Sequence, residues 1–161
     1  MKRRKKKLYL DTSVISHLDQ RDVPEKMQQT QELWEVFKTG KYDIVISEVA
    51  FGEIDKCPTE KRKLLYNYIK EISYIEYATT EETDEIAEQI IAEKILARKH
   101  LNDCYHIASA ILTECDILLS WNFDDLANAK TVDGARRIKY LIMGNTGIDI
   151  YPPHMLLEKE S

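Results

Sequence analysis

Four carboxylates and one amide stand where short apolar runs end or where an apolar helix begins. Asp11 follows "KKKLYL", Glu53 lies in "SEVAFGEI", Asp103 opens "LNDCYHIASAIL", and Asn122 and Asp124 follow "DILLS" in "SWNFDD". Two carboxylates about 5 Å apart repel by roughly 3 kcal/mol at an effective dielectric near 20. Three or four brought together would use up much of a domain's stability of about 5–15 kcal/mol. A bound divalent cation removes that cost. Oxygen ligands with no His or Cys at ligand spacing favour Mg²⁺ or Mn²⁺ over zinc.

Singly, each residue has an ordinary explanation. Asp11 could cap a helix beginning near Thr12, and Asp103 could be an acid favoured by a helix N-terminus. Glu53 could pair with a nearby lysine, Asn122 could cap toward Asp125, and Asp124 could be solvated. His106 lies three residues after Asp103 on the same face, which admits an acid–His–zinc site. No other His or Cys shows zinc spacing, so a packed or capped histidine is the simpler account. Trp34, near Leu33 and Phe37, reads as core.

Convergence of the carboxylates depends on the elements that carry them. Apolar runs predict strands at Leu8–Leu10, Ile44–Ile46, Ile117–Leu119 and Ile148–Tyr151, with a further short one at Tyr74–Tyr77. Helical patterns fill the gaps: Pro24–Thr39, Glu48–Lys56, Glu60–Ile72, Thr80–Ala97, Leu101–Glu114 and Val132–Met143. Alternating strands and helices predict a single α/β domain, a mostly parallel central sheet flanked by helices on both faces. Parallel strands end along one edge, where such folds place ligands. Asp11, Ser47, Ser120 and Asn122 should therefore meet on one rim. Ser47 is a plausible N-cap for the helix after its strand, and Thr79 with Glu82 forms a capping-box pattern. The acids Glu81, Glu82, Asp84, Glu85 and Glu88 read as a solvated helix face. The stretch from Leu101 to Leu112 is apolar nearly all round and should be buried, carrying Asp103 inward.

At 161 residues the chain has the length of one domain, with 43% apolar and 32% charged residues. The net charge is −5. Six of the first seven residues are basic, and without them 17 basic residues face 28 acidic ones, a charge of −11. So acidic a body excludes a passive nucleic-acid binder with a basic footprint. Residues 1–7 read as a basic N-terminal tail and 8–161 as the domain. Three cysteines without C-x-x-C spacing point to a reducing compartment. Asp11 cuts short any signal-like apolar run, and no run is long enough to span a bilayer. A cytoplasmic protein with no membrane partner is expected.

In order along almost the whole chain, "LYLDTSVIS", "SEVAFGEI", "LNDCYHIASAILTECDILLSWNFDDLAN" and "GIDIYPPHMLL" resemble the motifs of the PIN domain. The likeness is closest to the VapC-like toxin ribonucleases of type II toxin–antitoxin pairs. That resemblance implies a metal-dependent endoribonuclease hydrolysing RNA phosphodiester bonds, using Mg²⁺ or Mn²⁺. It implies Asp11, Glu53, Asp103 and Asp124 as catalytic metal ligands, with Asn122 as an uncharged fifth. Many members have an Asp where this chain has Asn122. Ser13 and Trp121 are candidate substrate contacts, Ser13 through water or as a helix cap, Trp121 by stacking on a base or by packing under the loop. The family further implies an RNA substrate, an antitoxin protein and a homodimer as partners. Two other classes compete. One is a PIN-like module that binds RNA or a partner protein without cutting, which Asn122 favours and the three retained acids oppose. The other is an Asp-nucleophile phosphatase of the D-x-D type, which would need an acid where Ser13 stands.

Overall fold

The computed structural model describes residues 4–160. In chain order the elements are β1 (Lys7–Leu10), α1 (Thr12–Ser16), α2 (Pro24–Lys38), β2 (Asp43–Ser47), α3 (Glu48–Ile54), α4 (Thr59–Ile69) and β3 (Ile75–Tyr77). There follow α5 (Glu81–Ala92), α6 (Leu101–Leu112), β4 (Ile117–Leu119), α7 (Ala129–Met143), β5 (Asp149–Tyr151) and α8 (Pro153–Lys159). The five strands form one parallel sheet in the order β3-β2-β1-β4-β5. The predicted α/β class is the one observed.

Side chains on a strand alternate between faces, and here each face has its own core. Leu8, Leu10, Ile44, Ile46 and Leu119 pack with Trp34, Phe37, Ile54 and Leu65 from α2, α3 and α4. Tyr9, Val45, Leu118 and Ile150 face Ile86, Ile90, Ile107, Ile111 and Ile138 from α5, α6 and α7. The central strand β1 is where the chain reverses direction across the sheet. β2 and β3 build outward on one side, β4 and β5 on the other. That switch point is where open α/β sheets leave a crevice for ligands, and Asp11 follows β1 directly.

Several boundaries differ from the sequence-based expectation. The helix expected over Thr80–Ala97 stops at Ala92. Lys94 takes a left-handed conformation (φ 60°) and the Ile95 N–H closes back on the Ile90 carbonyl at 3.1 Å. This reversal drives Ile95 and Leu96 into the core. The capping box is one residue later than expected. Thr80 Oγ1 accepts from the Thr83 N–H and Thr83 Oγ1 accepts from the Thr80 N–H. Thr79 is instead tied to Glu48, its N–H donating to Oε1 at 3.2 Å.

Of the basic N-terminal run, Lys2 and Arg3 lie outside the described residues. Lys7 opens β1 and its N–H donates to Asp116 Oδ2 at 2.8 Å, while Arg4 pairs with Asp116 Oδ1 at 2.9 Å. Cys104 and Cys115 are buried and Cys57 is half-buried, all as free thiols. No helix among the described residues is long and apolar enough to cross a membrane.

Gly134 marks the closest approach of α7 to the turn after α5. A Cβ there would lie 2.7 Å from both Cγ1 and Cγ2 of the buried, β-branched Ile95. Ala favours a helix over Gly by about 1 kcal/mol, but overpacking costs about 1–3 kcal/mol. Gly134→Ala is therefore expected to lower the urea midpoint. Asp116 supplies a pH-dependent contribution. Burial alone would raise its carboxyl, but the Lys7 N–H, Arg4 and Lys6 together hold it below the ordinary value. A depressed folded pKa stabilises above the unfolded value of about 3.9 and is lost as pH falls through the folded one. Asp116→Asn should thus cost about 1 kcal/mol at pH 7, and urea titrations should show the gap to the native chain closing as pH drops below about 4.

Candidate functional site

Asp11 is only 3% exposed and caps α1, accepting the Val14 N–H on Oδ1 at 3.2 Å. Ser13 Oγ donates to the same oxygen at 2.6 Å, and Ser120 Oγ donates to Oδ2 at 2.6 Å. These hydroxyls are themselves fixed by the loop after β4. The Trp121 N–H donates to Ser13 Oγ and the Asn122 N–H to Ser120 Oγ, each at 2.9 Å. Burial pushes the Asp11 carboxyl up, against the charge of His106 and the three hydrogen bonds. A carboxylate offers about four lone-pair sites, so Oδ2 keeps room for another ligand.

Glu53 lies in the last turn of α3. Its Oε1 accepts from Thr12 Oγ1 at 2.7 Å and from His106 Nε2 at 3.1 Å. Burial raises its carboxyl, but these hydrogen bonds and the charges of His106 and Lys56 outweigh it and hold the group below the usual range. Asp103, in the first turn of α6, accepts no hydrogen bond among the described residues. Burial first, then the charges of Asp11 and Asp125, raise its carboxyl to about 6, with His106 and His100 opposing.

The loop after β4 departs from expectation. Asn122 caps it: Oδ1 accepts the Asp125 N–H at 3.1 Å and Nδ2 donates to Asp125 Oδ2 at 3.2 Å. With both ends of its amide engaged, Asn122 does not face the acids as a ligand. Asp124 is exposed, and its carbonyl accepts from Asn128 Nδ2 at 2.9 Å. The acid turned inward is Asp125. His100 Nδ1 lies 3.3 Å from Asp125 Oδ2 and 3.9 Å from Asp103 Oδ2. Ligand atoms of His100, Asp103 and Asp125 all fall within 4.8 Å of one another. Sequence reasoning noticed Asp125 only as the partner of an Asn122 cap. That spacing is the signal that aims it, since a cap at position 122 fixes the turn one residue past Asp124.

Trp121 is buried, with Nε1 donating to Thr30 Oγ1 at 2.9 Å and its ring stacked between His17 and His154. It packs under the loop, leaving the neighbouring Phe123 as the exposed aromatic. Ser13 neither caps the helix nor is free, its hydroxyl being used in both directions. Ser47 sits at the N-cap position of α3 without a side-chain capping bond, because its Oγ accepts from Tyr9 Oη at 2.8 Å. His106 is the unexpected member. It is 2% exposed and touches Glu53, Thr12 and Tyr9.

The four acids, Asp11, Glu53, Asp103 and Asp125, have no lysine or arginine ion-pair partner among the described residues. Glu53 Oε2 accepts no hydrogen bond among these residues either. Asp103, with no hydrogen bond to its carboxylate among these residues and with Asp11 and Asp125 raising it, forms with Asp125 and His100 a carboxylate-rich donor set that suits a divalent cation.

A parallel five-stranded sheet, with the buried Asp11 at its switch point and the half-buried Glu53, Asp103 and Asp125 on neighbouring elements, defines an α/β domain with an acidic edge. Residues 8–130 match the sequence profile of the PIN domain, and the chain belongs to that family. Among solved structures, a chain from the crystal structure of VapBC2 from Rickettsia felis, bound to a DNA fragment from their promoter, is similar to this one with a TM-score of 0.52 and 13% identity. The match covers 91% of this chain and 98% of that one. No curated protein sequence matches the chain.

The contrast between the two neighbouring residues of the loop can be measured. Asn122→Ala, which removes the cap, should cost about 1 kcal/mol in urea unfolding. Asp124→Ala should leave stability unchanged, as expected for an exposed side chain without partners.

Proposed function

We propose that this protein is a metal-dependent endoribonuclease acting on RNA phosphodiester bonds and serving as the toxin of a type II toxin–antitoxin pair. The observation that carries the proposal is the close group of Asp103, Asp125 and His100 beside Asp11, in a chain of a family whose members are generally nucleases. A divalent cation, Mg²⁺ or Mn²⁺, would be held first by Asp103 and Asp125 with His100, whose ligand atoms lie within 4.8 Å of one another, and Asp11 and Glu53, outside that group, would complete the site from β1 and α3. When bound, such a cation supplies Lewis acidity toward water and phosphate oxygens. Asp11 acts as the fixed base of the site, since its position is set by both α1 and the loop after β4. Asp103 brings a carboxylate with no competing hydrogen bond. Thr12 restrains Glu53 from the helix that Asp11 caps.

The surroundings suit a polymeric substrate. One hollow beside the acids is lined by His100, Asp124, Asp125 and Lys130, and another by Glu53, Lys56, Asn102 and Tyr105. An RNA strand crossing from one to the other would pass over Asp103. The likeness to a chain of the VapBC2 structure supports an antitoxin protein as a partner. A module that binds without cutting is the second reading, and Asn122 no longer favours it, because Asp125 restores the fourth acid.

Purified protein should cut an end-labelled structured RNA in Mg²⁺ or Mn²⁺ and not in chelator, and Asp103→Asn should abolish the cutting. Asp125→Asn should lower the rate at least tenfold, about the effect of losing one charge-stabilising group, whereas Asp124→Asn should cut like the native chain. Equal loss in both would overturn the assignment of Asp125.

A further inference from the structure

Behind Glu53 runs a chain of buried polar groups that the proposed hydrolysis does not use. His106 on α6 donates from Nε2 to Glu53 Oε1 at 3.1 Å, since an ionised carboxylate can only accept. Its Nδ1 lies 2.6 Å from Tyr9 Oη. Tyr9 is fully buried in the middle of β1, edge-on to the imidazole at 5.6 Å between ring centroids. Its hydroxyl donates to Ser47 Oγ at the end of β2. The sheet alternation explains the meeting: Tyr9 points to the face covered by α6, while Leu8 and Leu10 point to the other. A phenylalanine would fill the same space in that core without needing a partner. The hydroxyl and imidazole therefore have to be satisfied by Ser47, by each other and by Glu53.

The way the chain ends on Glu53 is asymmetric. Thr12 and His106 both donate to Oε1, and Oε2 accepts no hydrogen bond among the described residues. The side chain is one-third exposed, at 33%, and sits in the last turn of a seven-residue helix. A glutamate there has rotamer freedom that a ligand must give up.

We propose that Tyr9 and His106 are positioning residues: Tyr9 fixes the His106 ring, and His106 holds Glu53 by one oxygen so that Oε2 is left for the divalent cation. This inference rests on the metal-dependent reading above. A hydrogen-bonded partner behind a metal ligand fixes ligand orientation, and losing one typically weakens metal affinity about 10–100-fold.

The test is calorimetric titration of Mn²⁺ into the full chain without RNA, with a thermal melt of each variant. Tyr9→Phe removes one oxygen and keeps the ring. His106→Asn reaches only about as far as Nδ1, while the longer His106→Gln brings an amide donor to about the position of Nε2. Tyr9→Phe and His106→Asn, with melts that show them folded, are expected to bind Mn²⁺ about tenfold or more weakly, and His106→Gln to recover most of the affinity. Native-like Mn²⁺ affinity in a folded Tyr9→Phe overturns the positioning role, and so does equal loss in the Gln and Asn variants. If the native chain binds Mn²⁺ and Asp103→Asn does not, such a result leaves the metal site standing. A native chain that binds no Mn²⁺ overturns both.

Discussion

The burial of Asp11 is the constraint around which the rest of the site is arranged. A carboxylate taken out of water at the centre of a parallel sheet is tolerated only with strong partners. Its donors come from two places far apart in sequence: Ser13 and the Val14 N–H from α1, and Ser120 from the end of β4. Hydrogen bonds to a charged group contribute about 1.5–3 kcal/mol each. One residue thus fastens β1 to its following helix and to the neighbouring strand. The N–H groups of Trp121 and Asn122 extend this hold to the loop that carries Asp125. The position of the fourth acid is a consequence of the burial of the first.

The two faces of the sheet have different roles. The face covered by α2, α4 and α8 is apolar, built on Leu8, Leu10, Ile44, Ile46 and Trp34. The face covered by α6 admits Tyr9, His106 and Ser47 among the aliphatic Ile107, Ile111 and Leu118. Ser109 Oγ, buried on the same helix as His106, meets no well-aligned hydrogen-bond partner among the described residues, although it lies close enough to Tyr9 to favour the ionised phenol. Rigidity from the apolar face and polar satisfaction on the other meet at β1, whose alternating side chains belong to both.

Strand ends were legible in the sequence because a buried parallel strand is an unbroken apolar run that stops abruptly at polar residues. "LYLDTS" and "DILLSWN" carry that signal, and it led to the rim and to Asp11. Asp103 was legible for another reason: an almost wholly apolar helix drags its one acid inward. The fourth acid was not. "NFDD" offers three oxygen-bearing side chains within four positions, and only the loop's hydrogen bonds decide which one turns in. Composition favours none of them. Tyr9 and His106 were illegible as a pair, since a tyrosine in a strand and a histidine on a helix each read as packing. Their meeting depends on which face of β1 the helix α6 covers, a long-range fact. The end of α5 was missed for a similar reason, because nothing local in "AEKILARKH" shows that Ile95 must leave the helix to pack against α7 at Gly134.

The local acidity of this edge follows from the same arrangement. With Lys26 over the rings of Trp121 and Phe123, and Lys56 beside Glu53, positive side chains stand at the margins while the centre carries four acids. On its own that centre would repel a phosphate backbone. A cation that outweighed the local carboxylates would reverse this, so under the proposed function affinity for a phosphate backbone would follow metal occupancy rather than a basic surface. The carboxyl of Asp103, raised to about 6 by burial and by its acidic neighbours, expresses the same imbalance in the protein alone. Each neighbouring acid makes Asp103 harder to ionise, and a cation bound among them would reverse the sign of that influence.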